Sequence, residues 1–335
     1  RADCASAATM TWLLSVLPLG LLSLGFPFFL VLLATATTVL LLFGTVPPAA
    51  LHQTLYSSID KFALLAVPFF IFAGDLMGRG GVSQRLVRWV MAILGGMRGA
   101  LPLTALGTTA VFSAVSGSTA ATVAAVGSLT YTRMREAGYS ERFASGLLVS
   151  SAAIDNLIPP SIGFILYGIS AETSIVKLFA AGLVPGIVMA GCLALTIFWV
   201  VGRGAEGRGK PFSLAEFLAA TRDGIWSILA PIAVRGGIYA GIFSPTEAAG
   251  IACVYAMLVV GLVYRELGAF EILLSAGRSM VLTAQVFIIV AAGGVFSWLL
   301  TVNNIPQSLV AWVLALKLEP WMVLMAINVL LLIVG

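Results

Sequence analysis

Charge is what this sequence has least of. Only 10% of its 335 residues are Asp, Glu, Lys or Arg, while 60% are hydrophobic; a soluble domain carries about 25% charged residues. A soluble chain of this size needs polar cover, so the composition excludes the soluble globular class. Lipid as solvent removes that need when helices satisfy their own backbone hydrogen bonds. Histidine is nearly absent: His52 stands alone, which excludes His-based metal centres and Ser-His-Asp triads. Cysteine is scarce. Cys4, Cys192 and Cys253 are far apart, two of them in apolar segments, and read as small hydrophobes rather than disulfide or metal ligands. The net charge of +4 comes without basic clusters interleaved with aromatics, so nucleic acid is not an expected partner. What remains is an all-α polytopic membrane protein whose first partner is membrane lipid.

Long apolar runs fill the chain. A spanning helix needs about 20 apolar residues. Charge-poor segments fall at about 11–44, 62–78, 99–132, 143–170, 175–201, 224–243, 246–264, 279–302 and 320–335. The first is long enough for one tilted helix or two short ones. Residues 1–9 read as a polar N-terminal tail, and Met10 opens a stretch too long for the apolar core of a cleaved signal. Lys and Arg in short loops set orientation. Arg79, Arg85, Arg88 and Arg98 mark one cytoplasmic stretch, and Arg133, Arg135 and Arg142 a second. The 202–223 linker, with Arg203, Arg208, Lys210 and Arg222, marks a third.

These assignments conflict at one place. Arg98 and Arg133 bracket 34 uncharged residues, yet both flanks read as cytoplasmic. One span cannot start and finish on the same side. A re-entrant hairpin over 99–132 resolves the conflict, and its composition agrees: 18 of residues 105–128 are Gly, Ala, Ser or Thr. Small residues let half-helices pack closely. Ser116-Gly117-Ser118-Thr119 would form the polar tip, which must be buried in protein or line water. A single Ala-rich helix is the plainer alternative.

A second break is expected within 143–170, at Asp155-Asn156-Leu157-Ile158-Pro159-Pro160-Ser161. Consecutive prolines remove two backbone donors and interrupt the helix. The freed carbonyls, with Ser116, Gly117, Ser118, Pro159, Pro160 and Ser161, offer neutral oxygens of the kind a hard cation such as sodium takes. A packing kink is the alternative. Asp155 is a carboxylate in an apolar span, where ionisable groups are costly and usually functional; a position nearer the interface would remove that meaning. Arg235 is the other charge in an apolar span, a candidate contact for an anionic substrate or a snorkelling cation. Thr246 and Glu247 follow Ser244-Pro245 and read equally as functional groups or as the capped start of a helix.

The chain also repeats itself. Residues 81–94 (GVSQRLVRWVMAIL) and 304–317 (NIPQSLVAWVLALK) share six identities at an offset of 223, including Gln84/Gln307 and Trp89/Trp312. The first copy sits among arginines, and span counting places the second on the opposite side. The repeat is therefore read as inverted, with 10–201 as the first half and 224–335 as the second. Inverted repeats with interrupted helices are a signature of secondary transporters. The offset carries Ser116–Ser118 to 339–341, beyond Gly335, so the sequence is expected to be C-terminally incomplete, ending before a second hairpin tip.

Seven ordered stretches carry a family resemblance: PFFIFAGDLM at 68–77, FSAVSGSTAATVAAVGS at 112–128, MREAGYSERFASG at 134–146, IPPSIGFILYGIS at 158–170, LFAAGLVPGI at 178–187, GGIYAGIFSPTEAAG at 236–250 and NNIPQSLVAWVLAL at 303–316. They resemble the large membrane subunit (M, DctM-like) of TRAP, tripartite ATP-independent periplasmic, transporters. The resemblance implies an elevator-type secondary transporter in the bacterial inner membrane. It implies sodium-coupled import of an organic acid, such as a C4-dicarboxylate or sialic acid. Sodium would be the coupling ion, with no covalent cofactor. A small Q-type membrane subunit and a periplasmic substrate-binding protein would be its partners, and the latter would select the substrate. In the family one sodium site joins the hairpin tip to the following broken helix, here Ser116–Ser118 and Pro159–Ser161. Three departures stand out. Asp155-Asn156 occupies positions where Gly and a neutral residue are usual, Arg235 replaces an apolar residue, and Tyr131-Thr132 stands where a Pro is common. The competing classes are a membrane-embedded enzyme acting on a lipid or isoprenoid, which would need paired carboxylates or a metal motif, and a scaffold whose breaks serve packing alone.

Overall fold

The computed structural model describes residues 2–43, 47–201 and 212–334, which are helical or in helix connections, with no strand among them. Arg203, Arg208 and Lys210 of the expected linker lie outside the described residues. The chain divides into two compact units, Arg1–Asp60 with Phe287–Gly335, and Lys61–Val286.

In the first unit, α1 (Ala2–Ser23) and α2 (Phe28–Phe43) resolve the leading apolar stretch into two helices. The connection at Leu24–Pro27 uses Gly25 at φ 79°, a left-handed conformation that costs glycine little. Helical backbone extends back to Ala2, into the residues read as a tail. Next comes α3 (Pro48–Ile59), with proline in its first turn where the missing N–H is not needed. Leu14, Ala36, Val39, Val295 and Leu299 form this unit's core.

The second unit carries the breaks. A short 3-10 turn, Phe62–Leu65, leads into α4 (Ala66–Arg79), followed by α5 (Val82–Leu94). The expected hairpin is present as α6 (Ala100–Ser116) and α7 (Thr119–Glu136), which pack on each other. The broken helix consists of α8 (Glu141–Ala152), a 3-10 turn at Ala153–Asn156, an irregular stretch and α9 (Ile162–Ser170). Then come α10 (Ile175–Val201), α11 (Leu214–Tyr239) and α12 (Pro245–Leu258), continued by a π-turn at Val259–Val263. Thus α11 begins ten residues before the apolar segment expected at 224, inside the anticipated linker. α13 (Ala269–Val302) contains the boundary between the units, and α14 (Ile305–Ala315) and α15 (Pro320–Val334) complete the order. Among the described residues five helical stretches are long and apolar enough to cross a membrane: Phe62–Arg79, Ile175–Val201, Leu214–Tyr239, Pro245–Val263 and Ala269–Val302.

Packing in the second unit centres on the hairpin. α6 touches α5, α8, α10 and α11, while α4 lies against both α6 and α7. Leu103, Leu106, Leu148, Ile154, Ile158 and Ile197 are among the buried side chains that join the hairpin to α8, the broken stretch and α10. Charges gather at one end: Arg85 pairs with Glu266 at 2.7 Å and lies 3.7 Å over the Tyr264 ring. Such a cation over an aromatic face is favourable when partly desolvated.

The two repeat copies share a local backbone. α4 ends at Arg79 and α5 begins at Val82, with Gly81 between them at φ 71°. At the same offset α13 ends at Val302 and α14 begins at Ile305, with Asn304 at φ 54°. Glycine and asparagine are residues that enter the left-handed region readily.

Close approach of α4 to the hairpin requires Gly74. A Cβ there would meet the Ser116 hydroxyl at 2.8 Å and the Ser116 Cα at 3.0 Å. Gly74→Ala is therefore expected to destabilise the detergent-solubilised protein by about 1–3 kcal/mol, the usual cost of overpacking. Gly146→Ala, where nothing lies within 4 Å, should be neutral or mildly stabilising. Thermal unfolding of the two variants side by side checks the contrast, and equal midpoints would remove the steric argument.

Candidate functional site

The two helix breaks meet. Gly117, at φ 58°, ends α6 in the left-handed region, and Ser118 is extended. The Ile162 N–H of the second break reaches the Gly117 carbonyl at 3.5 Å. A Cβ on Gly117 would lie 2.9 Å from the Pro160 carbonyl oxygen, so the tip passes Pro160 at a separation that suits glycine alone. Pro159-Pro160 is a cis peptide. Ser116, Pro159, Pro160 and Ser161 are buried, and Ser118 and Thr119 partly so. The Ser116 hydroxyl donates to the Ser118 carbonyl at 3.3 Å. Ser161 caps α9, its hydroxyl accepting from the Phe164 N–H at 3.4 Å. All six residues read from sequence as an oxygen-rich junction are thus brought together.

Opposed helix ends converge on that junction. α6 terminates there, and α7 and α9 begin there. Terminal carbonyls of the first favour a cation, and the N–H groups of the other two favour an anion.

Arg235 reaches the same place from α11. Its Nε donates to the Pro159 carbonyl at 2.7 Å, which fixes the guanidinium beside the break. One terminal nitrogen, Nη2, is buried without a hydrogen-bond partner. An arginine that binds a carbonyl and leaves donors free has a fork available for a planar anionic group.

Asp155 is fully buried. The Thr122 hydroxyl of α7 donates to its Oδ1 at 3.1 Å, whereas Oδ2 has no partner. The neighbouring Asn156 is exposed. Thr246 and Glu247 do not join the junction. Glu247 completes a capping box with Ser244, accepting from the Ser244 N–H at 2.7 Å while its own N–H donates back to the Ser244 hydroxyl. The helix-start alternative describes this segment, and Thr246 is buried in the first turn of α12.

Several polar groups carried no individual signal in the sequence. Asp75, within the motif at 68–77, pairs with Arg79 at 2.9 Å and accepts from the Ser275 hydroxyl of α13 at 2.5 Å. It borders a cavity of about 230 Å³ whose lining includes Gly74, Gly78, Ala121, Ala124 and Ser128. The small residues facing one another across α4 and α7 were the available cue. Ser113 and Ser151 are also buried with unpartnered hydroxyls. In a Ser- and Thr-rich helix, nothing local distinguishes them.

The junction gathers neutral oxygens beside one guanidinium, and no group of three or more His, Cys, Asp or Glu occurs among the described residues. The model of the family described as "Tripartite ATP-independent periplasmic transporter, DctM component" matches residues 15–335. The chain is 39% identical over 300 residues to the C4-dicarboxylate TRAP transporter large permease protein of Pseudomonas aeruginosa, covering 88% of this chain and 69% of the relative. It is 41% identical over 324 residues to the ectoine TRAP transporter large permease protein of Halomonas elongata, covering 96% and 75%. It is 38% identical over 319 residues to the isethionate TRAP transporter permease protein DctMQ of Oleidesulfovibrio alaskensis, covering 94% of this chain and 50% of that one. These relatives are named as permeases, not enzymes, and a match running through both units leaves the lipid-enzyme and scaffold readings without support. The chain belongs to the DctM family, the large inner-membrane permease subunit of TRAP transporters.

Proposed function

We propose that this subunit imports an organic acid across the inner membrane by coupling it to sodium, with the substrate delivered by a periplasmic binding protein. One observation carries the reading: the hairpin tip and the proline break are joined at Gly117 and Pro160, and Arg235 is anchored to the break with a nitrogen unused. Carbonyl and hydroxyl oxygens of Ser116, Gly117, Ser118, Pro160 and Ser161 would hold sodium. The N-terminal ends of α7 and α9, with the Arg235 fork, would hold the substrate's carboxylate. Cation and anion then neutralise each other in a low-dielectric site, which gives a physical basis for coupling: each binds better with the other present.

The hairpin is read as moving with the site in an elevator step, within two inverted halves, 10–201 and 224–335. The matched breaks at Gly81 and Asn304 support the repeat. A small Q-type membrane subunit would complete the membrane part; the isethionate relative's name, DctMQ, pairs both letters in one protein. The relatives are named for a C4-dicarboxylate, ectoine and isethionate, so the family frame leaves the substrate to the binding protein and to residues such as Arg235.

Reconstitution with the small subunit and binding protein in proteoliposomes tests this. Labelled organic-acid uptake should require both an inward sodium gradient and the binding protein, and uptake independent of both would sink the reading. Ser116→Ala with Ser118→Ala should raise the sodium concentration for half-maximal uptake roughly tenfold, as expected when neutral-oxygen ligands of a hard cation are lost. An unchanged sodium requirement would remove them from the site.

Arg235→Gln should raise the substrate concentration for half-maximal uptake by about 10- to 100-fold, the equivalent of one charged hydrogen bond. At saturating substrate its sodium dependence should match the parent's. A variant with unchanged substrate dependence would reassign Arg235 to bracing the Pro159 carbonyl.

A further inference from the structure

α11 is held to its neighbours in two different ways. It packs on α5, α12 and α6, and Ala220, Gly224, Ala230 and Val234 are among the residues it buries. The Tyr255 hydroxyl of α12 adds a bond to the Trp226 carbonyl at 2.6 Å. The broken helix and α10 are built into a separate core: Ile154, Ile158 and Ile197 share it with the hairpin. The Phe164 and Phe179 rings lie 6.5 Å apart between centroids, and a Cβ on Gly182 of α10 would run into the Leu157 carbonyl. From α11 to this group run two polar ties. Arg235 Nε donates to the Pro159 carbonyl at 2.7 Å. Tyr239, one turn further along α11, donates through its hydroxyl to the Phe179 carbonyl of α10 at 3.2 Å. Beside these ties the helix is open: Ile232 and Tyr239 are exposed, and a Cβ on Gly236 would meet nothing within 4 Å.

The end of α11 that carries the ties is weakly built. Pro231 lies inside the helix, where it removes a backbone bond and favours a kink. Gly236 and Gly237 follow, and only proline is a poorer helix former than glycine. Gly241, at φ 70°, closes the segment in the left-handed region. A helix of two turns is marginal by itself, so residues 232–239 depend on tertiary contacts to hold their place. Parting two packed faces leaves a void, whereas two hydrogen bonds across an open face part without one.

We propose that Arg235 and Tyr239 form a latch. It holds residues 232–239 onto the proline break and α10 in the conformation seen here. In the transport cycle it opens by a swing of that segment about Pro231, which withdraws the guanidinium from the junction. The latch needs no ligand, and it stands whether or not Arg235 also meets a substrate's carboxylate.

Pulsed electron paramagnetic resonance distances between nitroxide labels test the latch, on the purified full chain in lipid nanodiscs with Cys4, Cys192 and Cys253 replaced by Ala. One label pair replaces Val184 on α10 and Ile242 just past the segment, both exposed. A second pair replaces Val184 and the exposed Leu218, which precedes Pro231 on α11. In the first pair, Tyr239→Phe should raise the ratio of long to short distances about two- to tenfold, the scale of one neutral hydrogen bond. Arg235→Gln should raise it about 10- to 100-fold, the scale of a charged one. The second pair should keep the parent's distances in both variants. A first pair that does not change overturns the latch. So does a shift in both pairs, because loosened packing along all of α11 then accounts for it. Tyr239→Phe removes a single oxygen and decides the matter where Arg235→Gln does not fold.

Discussion

In hydrocarbon a helix cannot be interrupted without covering what the interruption exposes, because each unsatisfied N–H or C=O costs several kcal/mol. Here two interruptions cover each other. The Ile162 N–H turns to the Gly117 carbonyl, and the Pro159 carbonyl, freed by the proline pair, is taken by Arg235. The rest of the second unit is arranged so that this mutual covering can occur. Glycine at 117 lets the tip pass the Pro160 carbonyl, and glycine at 74 lets α4 close over Ser116. Neither position has room for a Cβ, which accounts for small residues where an apolar span would otherwise carry leucine.

The same constraint distributes the buried charge. Asp155 and Arg235 are opposite in sign and flank one proline break, yet they do not pair: the carboxylate bonds Thr122 and the guanidinium bonds Pro159. Held apart, each keeps an atom unsatisfied, Oδ2 on one and Nη2 on the other. Such separation is costly for stability, because an unpaired polar group in a low-dielectric interior forfeits its hydrogen bond. Both residues occupy positions where the family resemblance leads one to expect uncharged side chains.

Legibility in the sequence followed from how local each cause was. The hairpin followed from a conflict between loop charge and span count, and the tip fell at Ser116-Gly117-Ser118 because small polar residues crowd there. The second break followed from two adjacent prolines. Glu247 was readable as a cap because its partner, Ser244, is three residues away. By contrast, Thr122 lies 33 residues from Asp155, Pro159 lies 76 from Arg235 and Ser275 lies 200 from Asp75, and no periodicity encodes a contact over that separation. α3 was missed for another reason: His52, Gln53, Ser57 and Ser58 dilute the apolar signal on which span recognition depends.

The internal repeat shows how a sequence similarity can be judged by physics rather than by count. Six identities in 14 positions among Leu- and Val-rich segments have an obvious chance explanation. Four of the six, Leu86, Val87, Val90 and Ala92, are side chains that α5 buries, which chance matching of apolar residues would also produce. A fifth, Trp89, donates through its indole N–H to the Thr221 hydroxyl. Composition does not, however, place Asn304 at a left-handed φ where Gly81 has one. What the two segments share is a helix–turn–helix geometry with a left-handed residue at the same place in the turn, a likeness of backbone that similarity in hydrophobicity alone does not supply.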